Sequence, residues 1–318
     1  MSFVEKALNR MKVREQQMAP LGEHRDAEDP SARRHAPETQ ERPEASEHHT
    51  AGAEPDSPRT GGPMVAVDRK RLLEEGFLAP EKYHRQLADE YRRIKRPLLA
   101  NAFGVGVPQI ERGNLILISS AISGEGKTHT CLNLALSMAT ERDRTILLVD
   151  GDVPKPQISR LLGVADQPGL LDILGDERLS PENLLLRTDI PRLSILPAGR
   201  WTDHAPELLA SNRMSELCRE LAERYPDRVI LFDSPPLLAA TEAQAIAAHV
   251  GQIVLVIAEN LTARGDVRAA LALLDEQKPI NAILNKSRRA TRGGYYYGGY
   301  GYGAHGDADQ QAGNGARG

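Results

Sequence analysis

The chain has 318 residues, with 40 Lys and Arg against 44 Asp and Glu, and a formal net charge of −4. That length suits one or two domains, and the near-balanced charge makes no case for nucleic acid as a partner. The two cysteines are too few for a disulfide framework, no apolar run is long enough to span a membrane, and no apolar leader marks secretion, so a cytoplasmic protein is expected.

Residues 1–18 read as a short amphipathic helix. Phe3, Val4, Ala7, Leu8 and Met11 share one face. Alone it is too short to be stable, which suits docking to a partner or a membrane surface. Packing on its own domain is the alternative. Residues 19–65 are rich in Glu, Asp, Arg, His, Pro and Ser and read as a disordered linker, because they bury too little apolar surface to offset chain entropy. His48 and His49 lack the further ligands of a metal site.

Order is expected from residue 66 to 290. Leu72, Leu73 and Phe77 form an apolar patch, and Pro80 suits a helix start. A helix from Glu81 to Arg96 carries Tyr83, Leu87, Tyr91 and Ile94 at helical spacing. Its other face presents Glu90, Arg93 and Arg96. Residues three apart lie side by side on a helix, so these charges form one stripe. A stripe of this kind is either a solvated face or a contact between subunits.

Continuous apolar runs then alternate with helical patterns. The runs are Leu115–Ile118, Thr145–Val149, Leu193–Leu196, Arg228–Phe232, Gln252–Ala258 and Ile280–Leu284. Helical patterns between them include Glu207–Tyr225 and Ala263–Glu276. Fully apolar strands alternating with helices predict an α/β fold: a mostly parallel sheet covered by helices on both faces.

After the first run comes Ser119-Ser120-Ala121-Ile122-Ser123-Gly124-Glu125-Gly126-Lys127-Thr128-His129. Strand, small-residue loop, then Gly-Lys-Thr opening a helix is a phosphate-binding loop, and the fold is expected to be that of the P-loop NTPases. Backbone amides from Ser123 to His129 would converge on phosphate oxygens, aided by the helix N-terminus. Lys127 would reach the β- and γ-phosphates, and the Thr128 hydroxyl would sit on Mg²⁺. Ala121 stands where the motif has its first glycine.

Ligands of open parallel sheets bind beyond the carboxyl ends of the strands. Asp150, Asp152 and Asp233 lie there. Asp152, Asp233 and Thr128 suit Mg²⁺ together with nucleotide phosphates. Asp150 remains to take a proton from the attacking nucleophile. Past residue 290 the chain changes character. Residues 291–318 read as a flexible tail carrying Tyr295, Tyr296, Tyr297, Tyr300 and Tyr302 among glycines. A tyrosine nucleophile, with a phenol pKa of about 10, benefits from a nearby carboxylate.

The Gly-Lys-Thr loop, Val149-Asp150-Gly151-Asp152, Leu231-Phe232-Asp233-Ser234-Pro235-Pro236, the Glu90/Arg93/Arg96 stripe and the tyrosine tail together resemble the bacterial tyrosine kinases, over roughly residues 66 to 303. The leader from Ser2 to Leu8 and the stretch Glu90–Leu99 are similar to the cytoplasmic exosortase-associated autokinases of exopolysaccharide gene clusters. The resemblance implies ATP and Mg²⁺ as cofactors, Asp150 as base, and Lys127, Thr128, Asp152 and Asp233 on the nucleotide and metal. It places Asn285 near the adenine. It also implies a ring-like homo-oligomer joined through Glu90, Arg93 and Arg96, with each tail entering its neighbour's site. The implied activator is a membrane-embedded polysaccharide chain-length-determinant protein, which would recruit the kinase to the inner face of the plasma membrane. One departure is Pro154, where the family often has arginine; Lys155 follows it.

Two rival expectations remain. Partitioning and division-positioning ATPases share the fold but carry a second lysine five residues before the loop lysine, where this chain has Ile122. A nucleotide-bound scaffold would have the same loop and no transfer. The motifs of eukaryotic-type kinases are missing.

Overall fold

The computed structural model describes residues 63–77 and 81–287, with the side chains of residues 81–84 left out. The expected N-terminal helix, nearly all of the linker, and the tyrosine tail lie outside the described residues. In chain order the elements are β1 (Met64–Val65), α1 (Arg69–Glu74), α2 (Glu81–Phe103), β2 (Leu115–Ser120), α3 (Lys127–Met138), β3 (Thr145–Asp150), α4 (Gln157–Leu161), α5 (Leu170–Gly175), α6 (Pro181–Leu184), β4 (Leu186–Thr188), β5 (Leu193–Leu196), α7 (Ala205–Leu209), α8 (Asn212–Arg224), β6 (Arg228–Asp233), α9 (Thr241–His249), β7 (Gln252–Ala258), α10 (Arg264–Ala272) and β8 (Ile280–Asn285).

The strands form one sheet in the order β1-β4-β5-β3-β6-β2-β7-β8. All neighbours are parallel except β4 and β5. The central strands are buried on both faces, which is why they read as unbroken apolar runs. Alternate residues feed two cores. Leu115, Leu117, Leu147, Val149, Ile230 and Phe232 pack with residues of α5, α8 and α9. Ile116, Ile118, Ile146, Leu148, Val229 and Leu231 pack with residues of α2, α3 and α4. Each such side chain contributes about 1.5–3 kcal/mol when fully buried. The expected α/β sheet with helices on both faces is the observed one. No helix of the described residues is long and apolar enough to cross a membrane.

Three boundaries depart from expectation. The linker does not extend to residue 65: Met64 and Val65 pair with β4, and the N–H groups of Arg187 and Asp189 donate to Pro63 O and Val65 O at 3.1 Å each. Two residues are too few to show a period in sequence. Helix α2 continues past Arg96 through Pro97 to Phe103. An interior proline costs about 3 kcal/mol. Burial of Leu98 and Ala102, together with Lys95 Nζ donating to Ser137 O at 2.6 Å, offsets it. The pattern Glu207–Tyr225 is two helices, because Ser211 caps α8 by accepting from the Met214 N–H at 3.2 Å.

Candidate active site

The P-loop joins β2 to α3 at the carboxyl edge of the sheet. Gly124 and Gly126 take φ of 84° and 92°, the left-handed region that side chains avoid. A Cβ on Gly126 would stand 2.2 Å from Asn285 Nδ2. Gly126→Ala is therefore expected to lower both thermal stability and nucleotide affinity, measured by melting with and without Mg-ADP. An unchanged melting temperature and affinity would sink this account of the loop. Ala121 is fully buried, so the position needs a small residue but not a glycine.

Side chains from distant elements brace the loop. Glu125 is fully buried, and its carboxylate accepts from the Ile122 N–H at 2.7 Å and from the Thr262 hydroxyl. The Glu125 side chain thus turns inward, which leaves its backbone, the group expected on phosphate. Asn285 Nδ2 donates to Glu125 O at 2.8 Å, and Lys286 Nζ donates to Gly124 O at 2.6 Å. The end of β8 is thus clipped to the loop. His129, in the first turn of α3, packs its ring on Phe77 at 5.5 Å, with Nε2 2.8 Å from Gly76 O.

The acids come together as the motif spacing suggests. Asp150 and Asp233 are register partners at the ends of β3 and β6. Asp152 Oδ2 lies 2.6 Å from Lys127 Nζ, which also donates to Thr128 Oγ1 at 3.3 Å. Gly151 separates the first two acids because a Cβ there would meet Asp233 O at 2.6 Å. Spacing of two in an extended chain would put Asp150 and Asp152 on one side, but β3 stops at Asp150 and the two acids have different partners. Asp150 Oδ2 accepts from Ser159 N and Ser159 Oγ, both at 2.7 Å. Its Oδ1 is buried without a partner, and the Asp233 oxygens are buried with only the Thr128 hydroxyl as a nearby side-chain donor besides Lys127.

Burial dominates the electrostatics. It pushes the Asp233 carboxyl up to about 7, with Lys127 pulling the other way. It pushes Asp150 up to about 6, against the Ser159 hydrogen bonds. Burial also works against the Lys127 charge, but Asp233 and Asp152 outweigh it and hold the ammonium above the usual lysine value. Buried carboxylate oxygens without donors are costly. A divalent cation shared by Asp233, Asp152 and Thr128 would satisfy the oxygens of Asp233, so these residues fit Mg²⁺. No cluster of three His, Cys, Asp or Glu side chains suited to a metal exists among the described residues. Mg²⁺ on a nucleotide does not need one, since phosphates and waters complete its shell.

A cleft of about 950 Å³ opens on this edge. Gly124, Gly126, Lys127, Thr128 and Asp152 line it together with Pro154, Lys155, Arg160 and Trp201. Sequence reasoning missed Ser159, Arg160 and Trp201. None belongs to a motif, and only the fold brings them to the acids. Arg93 and Arg96 are exposed and Glu90 is half-buried on α2; none of the three lines the cleft.

No family model matches the chain. It is 31% identical over 193 residues to tyrosine-protein kinase wzc of Salmonella typhi, covering 60% of this chain and 26% of that one. The chain spans about a quarter of the length of the longer relatives it matches. Tyrosine-protein kinase YwqD of Bacillus subtilis is 31% identical over 186 residues, which cover 58% of this chain and 77% of the relative. The solved VpsO kinase domain superposes with a TM-score of 0.52 at 30% identity, over 64% of this chain and 97% of that domain. With the acids, the lysine and the loop set in one P-loop sheet, the chain belongs to the bacterial tyrosine-protein kinases.

Proposed function

We propose that the chain is an ATP-dependent protein-tyrosine autokinase that phosphorylates Tyr295, Tyr296, Tyr297, Tyr300 and Tyr302 of a neighbouring copy, in the control of exopolysaccharide synthesis and export. The observation that carries this is the carboxylate set beside the cleft: Asp152 on its lining, with Asp233 and Asp150 buried behind it, all three drawing on the Lys127 charge. Mg²⁺-ATP, when bound, supplies the phosphoryl group and the metal that neutralises its charge. The Ser123, Gly124 and Gly126 amides, with those of Glu125 and His129, bind phosphate oxygens. Thr128, Asp152 and Asp233 hold the metal. Lys127 leaves Asp152 for the phosphates, Asn285 meets the adenine, and Asp150 takes the phenol proton at Oδ1.

The wider setting follows the same proposal. Glu90, Arg93 and Arg96 join copies into a ring-like homo-oligomer. A membrane-embedded chain-length-determinant protein activates the kinase and recruits it from the cytoplasm to the membrane.

The test mixes two full-length chains with ATP and Mg²⁺. One carries Lys127→Met and keeps its tail. The other keeps Lys127 and has all five tail tyrosines changed to Phe. Phosphotyrosine is expected on the Lys127→Met chain, mapped to Tyr295–Tyr302. Wild-type ATP hydrolysis without phosphotyrosine would favour a switch ATPase instead. Phosphotyrosine in the wild type but not in the mixture would overturn transfer between copies.

A further inference from the structure

Trp201 is the single tryptophan of the chain and lies 52% exposed on the cleft wall. Exposing an indole forgoes much of the burial that usually stabilises so large a ring. Its loop nevertheless is tightly built. Leu170 and Leu171 N–H donate to Pro197 O and Ala198 O at 2.8 and 3.0 Å. Asp172 Oδ2 accepts from Gly169 N at 2.8 Å and Arg200 N at 3.1 Å. Gly199 turns with φ 83°. The Ala198 N–H donates to Ser159 Oγ at 3.2 Å, and Ser159 holds Asp150. The indole therefore stands on backbone fixed to the same serine that fixes Asp150.

Strand order tells the two ends of the cleft apart. The P-loop leaves β2, while the Trp201 loop leaves β5, on the far side of β6 and β3. Three strand spacings are about 14 Å. Asn285 ends β8, on the opposite flank of β2. Lys127 leans toward Asp152, just past β3, so the reacting end of the cleft faces β5. Trp201 thus lies beyond the acids, away from the flank where Asn285 packs.

The geometry points to Trp201 as the acceptor platform: its indole takes the ring of a tyrosine from the Gly293–Gly303 segment of a copy of this chain. The inference rests on the autokinase reading. The segment suits the surface, since it carries no charged residue and consists of tyrosine and glycine alone. In each copy the chain also leaves the sheet at the edge that carries the cleft. The described chain ends just past Lys286, which is clipped to the P-loop at the same edge of the sheet. Tyr295 follows nine residues later, a reach of at most about 30 Å.

The test uses the full chain with the five tail tyrosines changed to Ala, so that no tail competes for Trp201, whose emission is the only tryptophan signal. A synthetic peptide of residues 293–303 is expected to give a saturable change in that emission, while Mg-ADP alone leaves it unmoved. No change with peptide, or the same change with Mg-ADP alone, overturns the proposal. Trp201→Ala is expected to raise the KM for the peptide about tenfold, as loss of an aromatic pair predicts. Its affinity for Mg-ADP should move less than twofold, and Trp201→Phe should recover most of the loss. An unchanged KM overturns the proposal while leaving the kinase reading intact. If no form makes phosphotyrosine, that reading fails, and the emission titration alone decides whether Trp201 binds the segment. The titration also decides if Trp201→Ala fails to fold.

Discussion

Lys127→Met is expected to lower tyrosine phosphorylation by about 10²–10³ or more, because it removes a charge aimed at the phosphates. It is also expected to destabilise the nucleotide-free fold. Asp150, Asp152 and Asp233 all draw on the Lys127 charge, and Asp152 is paired with it directly at 2.6 Å. Removing one partner of a buried pair costs about 3–5 kcal/mol when the other stays charged. Here the other groups have an escape, since burial already raises Asp233 to about 7 and Asp150 to about 6. A carboxyl with its folded pKa above the unfolded value binds more protons when folded. Its stabilising contribution is present at low pH and is lost as pH rises through the folded pKa. Without Lys127 those values move higher still, so the loss extends further up the pH scale. Melting in EDTA should therefore show a deficit against wild type that is small near pH 5 and grows toward pH 8. A deficit that shrinks with rising pH would contradict the assignment of Lys127 as the shared counter-charge.

The sheet was legible because its strands are buried on both faces, and burial on both faces leaves no polar positions to blur the pattern. The P-loop was legible because close backbone approach and positive φ restrict residue choice to Gly at Gly124 and Gly126. Strand-end acids were legible for a similar reason: a parallel sheet points all its carboxyl ends at one edge. What was hidden depends on contacts far apart in sequence. Glu125 sits inside a phosphate-binding motif, yet its role is set by Thr262, 137 positions later. Ser159 and Trp201 become part of the site only when β3 and β5 are neighbours. Helix α2 outran its apparent end because burial of Leu98 outweighs the proline beside it, a balance local propensity does not contain.

Asp150→Asn is expected to separate catalysis from stability. A side chain that takes a proton in the transition state contributes about 10²–10⁴ in rate, and phosphotyrosine formation should fall by that range. The fold should not suffer in the same way. An amide oxygen can still accept from Ser159 N and Ser159 Oγ, and loss of the charge relieves Asp152 and Asp233. The melting temperature at pH 7.5 should therefore stay level or rise. Asp233→Asn also removes a buried charge but touches the metal, so it should weaken Mg-ATP binding where Asp150→Asn does not. Asp150 has no exposed surface, so a phenol reaches its Oδ1 only after a neighbouring group moves. Lys127 is the candidate for that movement, because binding phosphate would draw it away from Asp152. Transfer within tenfold of wild type in Asp150→Asn would show that another group takes the proton. Lost transfer together with a lowered melting temperature would show instead that Asp150 acts by holding the β3–α4 turn.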